Sequence, residues 1–453
     1  MHYFSKLKKL KQKKIGLVFV VFSDPYQELT LVRTGFLDDL ISKYRVVVIV
    51  GSALVRDHIQ SHFGTSAIDV FLYEDHQPSR SGQVIQALLA CKYEKNAGPF
   101  RRARRNAARS KKHLLGKFKS LVLHLAARIA PEKVLLFARN HYFSDRFLNG
   151  LYKRYKPALT ILSWGGAYGP CPMVIRSAIK FGCKTISVDA TWDCMDELAV
   201  IPKVNRLLVW NEAMKEEAIA RHRYDPRNVS VVGPLRCDFY RRQEYKVSKE
   251  IFFEKHGLDC QRRLLTLAIN RGDPETYCQI VDLLIKADQE KHLCRPIQIY
   301  VRLAPWSNLE SFRRIKEYGH VRVQASYNFG GETLAREEEI IETVNLLQHT
   351  DVLLSVLSTL ILESAYFNTP NISLRLPEFR TLYERDFLHP LYETEGVAFV
   401  NDMPALIQAV NRYLSDPQRE ASGRIEIMQR LCRGGDGMVK ARVLSEIERI
   451  IVE

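Results

Sequence analysis

The stretch Asp351-Val352-Leu353-Leu354-Ser355-Val356-Leu357-Ser358-Thr359-Leu360-Ile361-Leu362-Glu363, running on to Asn368-Thr369-Pro370, decides how the chain is read. A short apolar run ends in hydroxyl residues, and a helical pattern starts near Ser358. Asn368 and Pro370 then supply ordinary helix-stop chemistry. Hydroxyls and backbone N–H groups where a strand gives way to a helix form a natural cradle for a pyrophosphate. Ser355, Ser358 and Thr359 are therefore candidate phosphate contacts. Glu363 lies one turn further on, where a carboxylate can accept from ribose hydroxyls. The plainer alternative is simple capping by Ser358 or Thr359 beside a solvated Glu363.

Working outward, this unit is one of many. Short β-branched runs alternate with longer helical patterns, as in parallel α/β sheets. Runs such as Ile15–Phe22, Val46–Val50, Leu159–Ser163, Thr185–Val188 and Arg206–Trp210 are apolar throughout, which is expected of strands buried on both faces. Helices are expected over Leu29–Ser42, Met173–Phe181 and Ala213–Arg221. A second series restarts at Leu264–Ala268 and continues through Ile297–Leu303, Val321–Gln324, Val352–Leu354, Ile372–Leu374 and Val397–Val400. Its helices are expected over Thr276–Asp288, Leu360–Phe367, Pro404–Leu414 and Val439–Ile451. The polar segment Arg241–Arg262 separates the two series. The expectation is two facing Rossmann-like domains, residues 1–245 and 246–453, with a cleft between them. In such sheets ligands bind beyond the carboxyl ends of the strands.

The bulk properties agree. A chain of 453 residues with 46% hydrophobic and 26% charged residues can bury two cores. The net charge of +16 favours anionic partners: nucleic acid, anionic lipid or a phosphorylated substrate. Nine scattered cysteines without a Cys-x-x-Cys pair read as reduced thiols of a cytosolic protein. Lysines between Lys6 and Lys14 precede an apolar run that ends at Ser23-Asp24-Pro25. That run is too short and lacks the cleavage pattern of a signal peptide, so it reads as a first strand. No apolar stretch approaches the ~20 residues that span a bilayer. The expectation is a soluble or peripheral cytoplasmic protein.

Other strand ends carry further candidates. Asn270-Arg271-Gly272-Asp273 follows the first strand of the second series; Arg271 would reach phosphates, and Gly272 would let the backbone come close. The same residues also read as an ordinary turn that starts a helix. Arg302, after a neighbouring strand, would offset charge on a leaving pyrophosphate, or else form a structural ion pair. In the first series, Asp24 and Asp193 are candidate bases for an acceptor hydroxyl, with Asp189 third; each also suits a turn or cap. Gly165-Gly166-Ala167-Tyr168-Gly169-Pro170 has neither dinucleotide nor P-loop spacing, so NAD and ATP are not implied. No Asp-x-Asp pair of the metal-chelating kind occurs. Neither a metal nor a cofactor is expected.

These residues bring two resemblances into view. Asp351–Leu374 resembles the donor-binding helix of GT-B glycosyltransferases, including the lipid-linked N-acetylglucosaminyltransferases of cell-wall synthesis. Their glutamate lies seven residues before the proline that precedes the next strand, as Glu363 does relative to Pro370. The resemblance implies that Glu363 holds the nucleotide ribose and that Ser358 and Thr359 touch the phosphates. Asp189-Ala190-Thr191-Trp192-Asp193, Val209-Trp210-Asn211-Glu212, Val231-Val232-Gly233-Pro234 and Asp238-Phe239-Tyr240 are similar to bacterial surface-polysaccharide GT-B proteins and to CDP-glycerol glycerophosphotransferases. The latter carry Arg-x-His-Pro where this chain reads Arg302-Leu303-Ala304-Pro305. The missing histidine counts against a CDP-polyol substrate and leaves Arg302 as the phosphate ligand.

The segment 100–130 holds ten arginines and lysines and no acid. Leu114, Leu115, Phe118, Leu121, Val122 and Leu125 recur within it at helical spacing. Such a helix can lie in an anionic membrane surface, or pack its apolar stripe on the first domain. No recognition motif or aromatic platform accompanies the charge, which argues against nucleic acid. The expectation is a glycosyltransferase that moves a sugar from a nucleotide-sugar donor to a cell-envelope glycan or lipid-linked acceptor. A CDP-polyol-type phosphotransferase, a sugar-nucleotide epimerase, a non-catalytic scaffold and a nucleic-acid-binding protein are the alternatives.

Overall fold

A computed structural model describes residues 16–22, 30–64, 68–73, 80–93, 114–141, 145–163, 170–189, 191–197, 203–270, 272–304, 307–324 and 337–453. Two wholly parallel sheets organise it. The first has seven strands in the order β3-β2-β1-β4-β5-β6-β7, and the second has six in the order β10-β9-β8-β11-β12-β13.

The first sheet comprises β1 (Leu17–Phe22), β2 (Arg45–Val50), β3 (Asp69–Leu72), β4 (Leu159–Ser163), β5 (Lys184–Val188), β6 (Arg206–Val209) and β7 (Val229–Val231). The second comprises β8 (Arg263–Ala268), β9 (Ile297–Arg302), β10 (Val321–Gln324), β11 (Val352–Ser355), β12 (Asn371–Leu374) and β13 (Ala398–Val400). Their central strands are buried on both faces: Val47, Val48 and Ile49 of β2 and Leu264, Leu265 and Leu267 of β8 are inaccessible to solvent. That is why these runs are continuously apolar rather than alternating.

The expected helix over Leu29–Ser42 is corrected to Phe36–Lys43. Gly35 adopts a left-handed conformation, φ 72°, immediately before it and interrupts the helical path. The helix expected over Leu360–Phe367 is also shorter, Leu360–Ala365, with Asn368 at φ 54° beyond it. Helices over Ala53–Phe63, Arg80–Lys92, Glu132–His141, Arg146–Tyr155, Glu337–His349 and Ala421–Leu431 had no counterpart in the sequence reading.

Packing shows how the halves join. Cys237, Phe239, Tyr240 and Tyr245 pack with Ala268, Val344, Leu353 and Leu360 of the second half. The final helix, Val439–Val452, goes the other way and puts Val439, Val443, Ile447 and Ile450 into the core around β1, β2 and β5. Asp238 fixes that return by accepting from the backbone N–H groups of Val439 (3.3 Å) and Lys440 (2.9 Å) at the start of the helix. Among the described residues no helix is long and apolar enough to cross a membrane.

Candidate active site

Strand order reverses between β1 and β4 in the first sheet and between β8 and β11 in the second. Crevices open at the carboxyl ends of such pairs, where the two chain connections leave in opposite directions. At the second switch point β8 delivers Asn270 and β11 delivers Ser355, Ser358 and Thr359. The strands run in register, with Leu267 beside Leu354 and Ala268 beside Ser355. Asn270 spans the gap: its Nδ2 donates to the Leu357 carbonyl at 2.5 Å. Ser355 is fully buried, and its Oγ has no hydrogen-bond partner among the described residues. A buried hydroxyl normally finds one. Ser358 Oγ accepts from the Leu360 N–H at 3.2 Å, so it caps locally.

Arg302 ends β9, beside Ala268 of β8. Its guanidinium donates to Thr343 Oγ1 at 3.3 Å and pairs with no carboxylate among the described residues. It is thus a cation one strand from the switch point. Arg271 lies outside the described residues. Gly272 has φ 129°, and a Cβ there would meet the Phe379 ring at 2.3 Å. The close approach it permits is to that ring.

Glu363 is where the structure adds most. The carboxylate is buried, and both oxygens are engaged from the segment after β7. Tyr240 donates its hydroxyl to Oε2 at 2.6 Å, while Arg236 donates to Oε1 and, at 2.7 Å, to Thr359 Oγ1. Arg236 in turn lies over the Trp210 ring, 5.6 Å from its centre. Burial, then the Glu363 charge, holds the Tyr240 phenol well above its ordinary pKa, so it stays a donor. A ribose ligand at Glu363 would therefore share a carboxylate already bound to an arginine and a tyrosine. Sequence reasoning missed Arg236 entirely. The only local signal was its place between Gly233-Pro234 and Asp238-Phe239-Tyr240.

A cavity of about 510 Å³ opens at the carboxyl ends of β12 and β13, lined by Arg375, Pro377, Arg380, Tyr383, Glu384 and Asn401. Tyr383 connects it to the switch point, because its hydroxyl accepts from the Leu357 N–H at 3.1 Å and meets Ser373 Oγ at 2.8 Å. Nothing in the sequence reading had singled out these residues.

In the first half, Asp24 and the glycines of 165–169 lie outside the described residues. Asp189 is buried just after β5. Asp193 is part of a junction between halves: Arg385 approaches its carboxylate at 3.7 Å and pairs with the fully buried Asp196 at 2.9 Å. Arg221 holds Asp196 from the other side at 3.0 Å. Beside them Trp192 meets Phe387 edge-on, ring centres 4.9 Å apart.

No protein-family model matches the chain, and no curated protein is similar to it in sequence. Solved structures are similar in fold. S. aureus MnaA in complex with UDP superposes with a TM-score of 0.57 at 11% identity, covering 97% of this chain and 98% of that one. UDP-GlcNAc 2-epimerase from Neisseria meningitidis bound to UDP-GlcNAc gives 0.55 at 10% identity, covering 96% and 100%. A glycosyltransferase from Rickettsia africae gives 0.54 at 10%, covering 97% and 99%. Two wholly parallel sheets, matched to these structures over nearly the whole length, define the GT-B architecture. This chain has that fold, as the resemblance of Asp351–Leu374 implied.

Proposed function

We propose that the chain is a transferase that takes a glycosyl group from a nucleotide-sugar donor to a cell-envelope glycan or lipid-linked acceptor, working from the cytoplasmic side of a membrane. The observation that carries this is the convergence of Asn270, the unpartnered hydroxyl of Ser355, Thr359 and the nearby Arg302 around one switch point. Hydroxyls and a cation free of any described carboxylate suit a pyrophosphate, which needs donors and positive charge. Arg302 would stabilise charge on the departing nucleotide, the term that matters most in such a transfer. The Arg375–Asn401 cavity next to it offers room for the donor's sugar. Structures of similar fold hold UDP and UDP-GlcNAc, which fits a nucleotide-activated donor. Asp24 and Asp193 remain the candidate bases in this scheme.

The test is a thermal-shift panel of UDP, GDP, CDP, CMP and their sugar conjugates at fixed salt. A ligand at ~100 times its Kd adds about 2.7 kcal/mol of stability. Selective stabilisation by one nucleotide supports the reading. Indifference to all of them overturns it. Conversion of the sugar nucleotide to an epimer without acceptor, seen by proton NMR, would replace transfer with epimerisation.

A further inference from the structure

The helix Leu114–Ile129 packs on the first half with one face only. Ala127 is buried there, and Lys92 Nζ donates to the carbonyls of Ala127 and Ala130, each at 2.8 Å. The opposite face is apolar and open to solvent: Phe118, Leu121, Val122, Leu125 and Ile129 are all exposed, Phe118 by 64% and Ile129 by 83%. At 3.6 residues per turn these five fall within an arc of about 100°. Exposed Lys119 and Arg128 flank that arc on its two sides. The next helix, Glu132–His141, also exposes Val134 and Phe137. Isolated surface hydrophobes are common; five large ones within one arc of a helix are not.

Charge indicates what covers it. The segment 100–130 has ten cations and no acid, so a partner that is both apolar and negatively charged fits. An anionic bilayer has that chemistry: the apolar face enters the acyl boundary while cations meet the headgroups. We propose that the face Phe118–Ile129 is a docking surface for an anionic lipid bilayer. The helix Glu132–His141 also packs against Cys171–Lys180, which leads out of the carboxyl end of β4. Docking thus sets the first half's crevice beside the membrane, where a lipid-linked acceptor would be met. That last link rests on the transferase reading; the docking itself does not.

Vesicle flotation tests it with the full chain, using phosphatidylcholine vesicles with and without phosphatidylglycerol. The protein should float with the anionic vesicles and remain below with the neutral ones. Leu121→Ser with Leu125→Ser should reduce flotation at least tenfold while far-UV circular dichroism and nucleotide-induced thermal shifts stay unchanged. Lys119→Glu with Arg128→Glu should weaken it and flatten its salt dependence. No flotation with anionic vesicles, or flotation that both variants leave intact, overturns the proposal. So does a light-scattering dimer that the serine variant dissolves in a protein that ignores vesicles. Nucleotide binding is read separately, so the two proposals fail independently.

Discussion

Replacing Glu363 with glutamine should destabilise the protein through Arg236 more than through Glu363 itself. The two side chains are 6% and 12% exposed, so the pair is largely shielded from water. Breaking a buried pair by neutralising one partner costs roughly 3–5 kcal/mol, mostly from the charge left behind. Glutamine keeps the shape and can still accept from Tyr240, which brings the expectation down to about 2–3 kcal/mol. Across a chain of 453 residues that corresponds to a fall in Tm of roughly 2–3 °C. Arg236→Met alone should cost a similar amount, because it leaves the carboxylate buried with Tyr240. The double variant removes both charges, so its loss should be smaller than the sum of the single losses by about 1–2 kcal/mol. Urea denaturation of the four proteins gives that cycle directly. Additive losses, or a Glu363→Gln effect below about 0.5 kcal/mol, would refute the reasoning, since an exposed pair behaves that way.

Three further perturbations follow from other parts of the molecule. Arg302→Met should weaken nucleotide binding about tenfold, or about 1.4 kcal/mol, with little change in Tm, because among the described residues the guanidinium makes only the 3.3 Å contact to Thr343; calorimetric titration beside a melt separates the two. Gly272→Ala should cost about 1–3 kcal/mol, since φ is 129° and the new methyl meets Phe379 at 2.3 Å, and Phe379→Leu in the same chain should recover part of the loss. His222 is buried with its Nε2 2.8 Å from the Met195 carbonyl, and burial lowers its pKa to about 4. The folded state resists protonation that the unfolded chain accepts below about pH 6.5, so stability should fall by up to about 3 kcal/mol as pH drops from there to 4. His222→Gln should flatten that part of the pH–stability profile, and an unchanged slope would show that other groups cause it.

The fold was legible because its signal is local. A strand such as β2 is buried on both faces, so the run Val46–Val50 needs no alternation to identify it, and its end fell within a residue of the observed one. Gly35 was less legible: only φ reveals that it breaks a helix rather than continuing it. For the site, strand-end reasoning singled out Asn270, Ser355, Ser358 and Thr359, and the pairing of β8 with β11 brings them to one switch point. It could not supply long-range partners. Arg236 is 127 residues from Glu363, and Arg385 is 189 from Asp196, so no local pattern records either pair. The cavity at Arg375 and Asn401 was invisible for the same reason, being made where two strands end side by side.

The returning final helix has a consequence for synthesis. The core of the first sheet holds Val443 and Ile447 alongside Val18 and Val48, so it is incomplete until the end of the chain is made. Residues 236–438 must be translated in between, which takes about 10–40 s at ordinary elongation rates. Through that interval the nascent first half carries an open apolar groove where Val439–Val452 will sit. The first half thus closes only after translation has passed the second, and a helper that shields exposed apolar surface would act in that window.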